Sequence, residues 1–416
     1  MRSAIFSQCF GMLTQQMISG GMLLLYLNAM GMKPAVILLV LNATPFLSSF
    51  LSIPVAWGAD RFGIKRFGNW GNFLMILGTG CIVGGAFLRD TEPELVLPAI
   101  LAGLVIHMFG AAFFNTGWFS LLSHIVPGEY TGRFFGVIRF SWQIVALAFF
   151  ILSAFLFSAR TPIWMYQAVL CAGGISVGCR YFFYKDIPNA PPAEHRPLNM
   201  VKSVTSALTL PGFAPYLAYL FLLICVTGNC QDMLRLSAIR NCGLGDNQIL
   251  FLTVGSMLGS LTGFKFMGRL VDRLGPHKVF LLCHVGFALA LLSFPARVLC
   301  GVPPLAAGIV TSVILGLTSS TLSLTTTSQS FQLCRGAQRT IAYALVSATQ
   351  SMGSGLSGFA LAALLSHMGT SVPGGNPFDL ILIGLGVFVL VQIAALRLLA
   401  QKRESVEDVV IASAVS

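Results

Sequence analysis

The sequence predicts an all-α integral membrane chain of twelve transmembrane helices arranged as two six-helix pseudo-repeats, and three observations lead there. The first is composition: hydrophobic residues make up 56% and charged residues 9% of the 416, with a mean hydropathy of +0.82, whereas soluble domains carry about a quarter charged residues. At about 20 residues per span this length holds roughly twelve spans with short connections, which leaves almost nothing for a soluble domain. The second is that the apolar runs fall into six plus six. The third is a repeated charged loop: AWGADRFGIKR at 56–66 returns as GRLVDRLGPHK at 268–278, with Asp60 and Asp272 212 residues apart, close to half the chain. One copy per half at a single offset marks an internal duplication.

Taken in order, the first span runs over 4–30. It is preceded by Arg2, exceeds a signal-peptide core and shows no small-x-small cleavage site, so it is expected to be a retained helix. Spans follow at 35–57, 67–88, 95–123, 133–158 and 162–184. The stretch KDIPNAPPAEHRPLNMVKS at 185–203 breaks the apolar pattern with prolines and charges and reads as a linker. Six further spans follow at 210–238, 246–267, 279–297, 304–331, 341–366 and 377–399. The expected division is a first half over 1–184, a cytoplasmic linker over 185–209, and a second half with a short tail over 210–416.

A net charge of +11 could suggest nucleic acid, but the basic residues sit in short connections between spans. With both termini inside, nineteen of the 25 fall on the cytoplasmic side, the sorting that orients membrane proteins. No nucleic-acid partner is expected. The ten cysteines show no C-x-x-C or paired metal spacing; they read as small apolar helix residues, with a Cys242–Cys300 bridge left open. No phosphate-cradling P-loop and no H-E-x-x-H pattern occurs. These absences argue against ATP drive from this chain and against a membrane hydrolase, and neither metal nor cofactor is expected.

The repeated loop, with Asp60, Arg61, Gly63, Lys65 and Arg66 in its first copy and Gly268, Asp272, Arg273, Gly275 and Lys278 in its second, resembles the signature G-x-x-x-D-R-x-G-[RK]-[RK] of the major facilitator superfamily. The first copy has Ala56 for the leading glycine, small enough for the close helix contact expected there. The second carries Pro276 and His277 before Lys278. VPGEYTGRFF at 126–135 and CRGAQRTIA at 334–342 resemble family loops more loosely. The resemblance implies a carrier whose halves rock about a central site lined by helices 1, 4, 7 and 10. It also implies that Asp60 faces the region of Thr340 and Asp272 the start of span 5 near Arg133, closing the cytoplasmic side in the outward-facing state. The glycine-rich span 5 pattern of family drug antiporters and the P-E-S-x-R and P-E-T patterns of sugar porters are missing.

Polar groups within spans are costly in lipid and tend to face the bundle interior or a watery path. In span 1, Gln8, Gln15, Ser19, Met22 and Tyr26 recur at helical spacing; they line a cavity or bond helix to helix. Span 4 offers His107, Asn115 and Trp118 on one face, span 5 Arg139 and Gln143, and span 11 Gln350. Span 7 ends in Thr227, Asn229, Gln231, Asp232 and Arg235, where Asp232 and Arg235 can pair three residues apart. In span 10, TSSTLSLTTTSQS holds ten hydroxyls in thirteen residues, Thr321 and Thr325 among them, although Ser and Thr can also bond to carbonyls one turn back. Of the acidic residues, only Asp232 and Asp379 lie outside loops and tail, Asp379 at the outer mouth of span 12. Histidine changes charge near neutral pH, whereas aspartate does so only where burial disfavours its charge. His107 and Asp232 are therefore the candidate coupling residues, unless Arg235 neutralises Asp232 and the carrier is a uniporter.

The expected protein is a monomeric secondary or facilitative carrier of a small, polar, largely neutral solute such as a sugar or nucleoside, with H+ or Na+ as the open choice of coupling ion. A proton-coupled exporter of amphipathic compounds is the alternative. A non-transporting sensor would need an output domain, and sixteen residues follow Ala400. The expected location is a bacterial inner (plasma) membrane with both termini cytoplasmic.

Overall fold

A computed structural model describes residues 2–19, 21–125, 131–188, 200–333, 339–368 and 376–396; the side chains of Asp60, Arg61, Arg133 and Thr340 lie outside the described residues. The regular elements among these residues are all helices, and no strand occurs among them. The first six passes are α1 (Arg2–Ser19) continued by α2 (Met22–Ala29), α3 (Pro34–Phe62), α4 (Ile64–Gly84), α5 (Pro93–Ile125), α6 (Thr131–Leu156) and α7 (Ile163–Lys185). A short helix, α8 (Met200–Leu208), lies within the stretch expected to be linker. The second six are α9 (Phe213–Thr227) continued by α10 (Cys230–Cys242), α11 (Asp246–Leu274), α12 (Pro276–Cys300), α13 (Pro304–Leu333), α14 (Arg339–Met368) and α15 (Pro377–Val391), the last prolonged by a 3-10 turn to Leu396. Nine of the passes are long and apolar enough among the described residues to cross a membrane. The other three are α1/α2, interrupted midway, α7, which holds Arg180, and α14, diluted by Ser, Gly and Gln.

The boundaries follow from local chemistry. Proline opens α3, α12 and α15 at a first-turn position whose N–H has no intrahelical acceptor to lose. The two signature loops turn on Gly63 (φ +103°) and Gly275 (φ +76°), each donating its N–H back to the preceding helix, to Ala59 and Val271 respectively. A Cβ is disfavoured at such φ, so the glycine of D-R-x-G is the residue that lets one pass reverse into the next. Lys65 then donates to the carbonyls of Lys185 (2.6 Å) and Ile187 (2.7 Å), capping the end of α7.

Helices α1 to α7 pack among themselves, as do α9 to α15; the broadest seams joining the two sets are α3 against α14 and α6 against α11. Glycines allow the closest approaches. On α4, Gly71 and Gly78 lie against the backbone of Gly110, Phe114, Gly103 and His107 on α5; on α11, Gly259 and Gly263 lie against α13. Helices in lipid associate through such small-residue contacts because apolar burial alone drives little there. At the α3–α14 seam, Gly355 and Gly358 receive Phe46 and Asn42, and Phe46 packs edge-on against Phe359 at 5.1 Å.

The end of the bundle that carries the Asp60 and Asp272 loops is the motif end; the other is the far end. Hydrogen bonds between described residues of the two sets lie at the far end or midway. Arg240 donates to Asn28 Oδ1 (3.0 Å) and Met32 O (3.1 Å). Asp246 accepts from Thr161 N (2.9 Å) and donates its own N–H to Ala159 O (3.2 Å). Midway, Gln143 Nε2 donates to Met257 O (3.3 Å). Asp272 and Arg273 at the motif end are exposed. The far end is thus tied across the two sets by hydrogen bonds, and no such bond is found at the motif end between described residues.

One expectation on packing needs correction, and one point left open has an answer. A Cβ at Gly268 would meet nothing within 4 Å, so the close contact expected at the head of the signature does not occur there, although Ala56 is buried. Cys242 and Cys300 are both free thiols.

Candidate solute site

A cavity of about 280 Å³ lies between the two helix sets, lined by Gln16 and Ser19 of α1, Trp142 and Gln143 of α6, Gln231 and Arg235 of α10, five residues of α11, and Ser319, Ser320 and Ser323 of α13. The α11 residues are Thr253, Ser256, Met257, Ser260 and Phe264. The volume is at the small end of ligand pockets, about 300–1,000 Å³. Ten of the fourteen lining residues carry a hydroxyl or an amide, and Arg235 is the one charged side chain of the wall among the described residues.

That charge is balanced in place. Arg235 Nη1 donates to Asp232 Oδ1 at 2.8 Å and Nη2 to Gln231 Oε1 at 3.2 Å. Gln231 Nε2 in turn donates to Ser256 Oγ at 2.7 Å. The chain breaks its helix here, between Thr227 and Cys230, and Asn229 holds the break by donating to Ser354 O (2.8 Å) and Ser357 Oγ (2.7 Å) of α14. The first pass is broken in a comparable place, where Gly21 takes φ +98° ahead of α2.

Within the serine and threonine run of α13, most hydroxyls are spent on their own helix. Thr318, Thr321, Thr325, Thr327 and Ser330 each donate to the carbonyl four residues back, and Ser320 to that three back. Ser319 and Ser323 make no hydrogen bond among the described residues and face the cavity. Gln16 and the Trp142 indole are likewise uncommitted there. Five side chains thus have spare hydrogen-bonding capacity toward a solute once Gln143 Oε1 is included.

The residues singled out from sequence divide. Ser19 and Gln143 are on the wall, and Asp232 is beside it through Arg235. The stripe Gln8, Gln15, Ser19, Met22 and Tyr26 does not form one wall: the break at Gly21 sets Met22 and Tyr26 on a new helix, and within α1 it is Gln16, beside Gln15, that reaches the cavity with Ser19. Gln8 and Gln15 are off the wall, Met22 is buried, and Tyr26 is core, donating to Ile82 O at 3.1 Å. His107 packs against α4, its Nδ1 3.2 Å from both Thr79 Oγ1 and Met75 O, away from the cavity. Asn115 is exposed. Trp118 stacks on Phe114 at 5.3 Å beside Arg180, whose guanidinium lies 3.1 Å from the Phe114 ring centre. Arg139 sits one turn toward the motif end from Gln143, over the Phe264 ring at 5.7 Å. Gln350, Asn229, Thr321 and Thr325 do not line the wall. Asp379 forms a two-pronged pair with Arg297 (3.1 and 3.0 Å). The α11 wall was overlooked, although Thr253, Ser256, Ser260 and Phe264 recur at three, four and four, a helical stripe as plain as that of span 1.

Fold and cavity define a multi-pass integral membrane carrier. The family model described as Major Facilitator Superfamily matches residues 4–239 and 233–412, so the chain belongs to that family; it is a transporter and not an enzyme. Among solved structures, the chain is similar to a POT family transporter in complex with a thioalcohol conjugated peptide (TM-score 0.73, 15% identity, 96% of each chain covered). It is also similar to the xylose transporter XylE from E. coli in a partially occluded inward open conformation (TM-score 0.67, 14% identity, 94% of each chain). A third similar structure is the nucleoside transporter NupG (TM-score 0.64, 14% identity, 95% of this chain and 97% of that one). No curated protein matches the sequence.

Proposed function

We propose that this transporter carries a small, polar, largely neutral solute of the sugar or nucleoside kind by alternating access between halves 1–184 and 210–416, joined by the 185–209 linker. One observation carries the reading: the cavity between the helix sets is walled by hydroxyls and amides, and its single guanidinium is already matched by Asp232. A solute with a full charge would meet no opposite charge left unpaired on this wall, while hydroxyls would meet Ser319, Ser323, Gln16 and Gln143. Trp142 and Phe264 add ring faces for the apolar side of such a solute. A thermal-shift screen of the purified protein tests this. Sugars or nucleosides should raise the melting temperature and their phosphorylated forms should not; a response confined to charged or amphipathic compounds would overturn it.

The charge bias supports placing the motif end, both termini and the linker in the cytoplasm of a bacterial inner membrane, with the conformation described here inward-facing. A cysteine placed at Asn189 should then resist an impermeant reagent added outside intact cells, and its labelling would reverse the orientation. The exposure of Asp272 supports this reading, in which Asp60 and Asp272 serve as the closing contacts of the outward-facing state. Asp60→Asn should slow turnover with expression and solute affinity nearly intact; wild-type turnover would remove the gating role.

Of the two coupling candidates, Asp232 has the better support, as the carboxylate next to the cavity, while His107 is withdrawn into α4 packing. Uptake into proteoliposomes with and without a pH gradient decides it. Asp232→Asn should lose accumulation against a gradient and His107→Ala should keep it; wild-type uptake that ignores the pH gradient would make the protein a uniporter.

A further inference from the structure

Arg235 has two faces. One looks into the cavity and is held by Asp232 and Gln231, with Gln231 fixed by Ser256. The other lies against the break in the first pass: a Cβ built on Gly21 would come within 2.9 Å of Arg235 Nε, 3.1 Å of Cζ and 3.2 Å of Cδ. The guanidinium therefore occupies the notch left where residue 21 has no side chain. The contact joins the two helix sets, and it lies between the cavity and the far-end ties of Arg240 to Asn28 and Met32.

We infer that Arg235 is a positioning residue which joins the solute cavity to far-end closure: the same guanidinium forms part of the cavity wall and seats in the notch at Gly21. The inference rests on the alternating-access reading above. Its physical basis is that Arg presents a rigid planar fork, fixed here by two acceptors on its own helix, so it fits the notch as a preset shape. When the halves rock apart at the far end, α2 leaves α10, and the guanidinium loses the backbone packed on its second face. A solute whose bonds to the cavity wall depend on the seated position of Arg235 then binds the two states unequally. Such a difference is what any ligand needs in order to shift a conformational equilibrium. Gly21 is thus required for space as well as for its backbone angle.

The test reads access to the cavity and not uptake, so it stands whether or not the solute assignment does. A single cysteine replaces Ser19 on the cavity wall in an otherwise cysteine-free protein, and an impermeant maleimide is added to intact cells and, separately, to inside-out vesicles. The otherwise unaltered protein should be protected from the far-end side and labelled from the motif-end side. Arg235→Ala should raise far-end labelling about ten-fold while motif-end labelling stays unchanged, which also reports an intact fold. Asp232→Asn with Arg235→Gln serves as the second variant, because it leaves no buried charge alone, and it should give the same rise. Gly21→Asn, which tolerates this backbone best but fills the notch, should raise far-end labelling as well, and adding it to Arg235→Ala should give no further increase. Far-end protection that persists in both Arg235 variants would overturn the inference. So would Gly21→Asn and Arg235→Ala effects that multiply, since independent sites add in free energy.

Discussion

Ser319 and Ser323 lie about half a turn around α13 from Thr321 and Thr325, and their hydroxyls do different things. The two threonines bond to carbonyls four residues back, whereas the two serines face the cavity uncommitted. Ser319→Ala or Ser323→Ala should each raise KM about five-fold, the effect of losing one neutral hydrogen bond of about 1 kcal/mol. Thr321→Val and Thr325→Val should leave KM near wild type in the same uptake assay. Asn229 is a different case, because its amide ties the broken seventh pass to α14 through two bonds. Asn229→Ala should lower unfolding free energy in detergent by about 1–3 kcal/mol, since the groups left behind are largely shielded from water. At this scale the sequence was only partly legible. A hydroxyl count pointed to α13, which does line the cavity, but which hydroxyls are free depends on helix azimuth, and one residue separates Gln15 from the cavity-lining Gln16.

Among the elements, the pass boundaries and the two signature turns were legible because lipid demands long apolar runs and the turn demands glycine. The helix breaks in the first and seventh passes were not, since neither Gly21 nor Gly228–Asn229 is accompanied by a proline or a charged loop that would divide the span. Polarity also drew attention away from the glycines that set helix spacing. Gly71 and Gly78 on α4 and Gly103 and Gly110 on α5 each stand seven residues apart, and each would drive a Cβ into the opposing helix. Gly78→Val should therefore cost about 1–3 kcal/mol through forced separation of the pair. Gly80, which faces open space, should accept alanine with stability unchanged or raised by up to about 1 kcal/mol. Chemical denaturation of the two variants side by side measures the difference.

For the whole molecule, the multi-pass helical architecture was legible from composition and apolar run length, while the conformational state was not, because one sequence must serve every state of the cycle. The far-end ties give that state a concrete handle. Replacing Asn28 and Arg240 with a cysteine pair and cross-linking it should arrest transport while solute binding from the motif end persists. Transport that continues through the cross-link would mean that these ends need not part.

Lys65, by clasping the carbonyl end of α7, gives the two copies of the loop a shared task rather than a shared residue. Its counterpart 212 positions on is His277, where the second copy departs from the signature, and His277 Nε2 lies 3.3 Å from Leu396 O at the end of the twelfth pass. Each half thus closes on itself by aiming a nitrogen donor from its third helix at the last carbonyls of its sixth. The two copies of the loop share a clasp, made by an ammonium in the first and by an imidazole in the second.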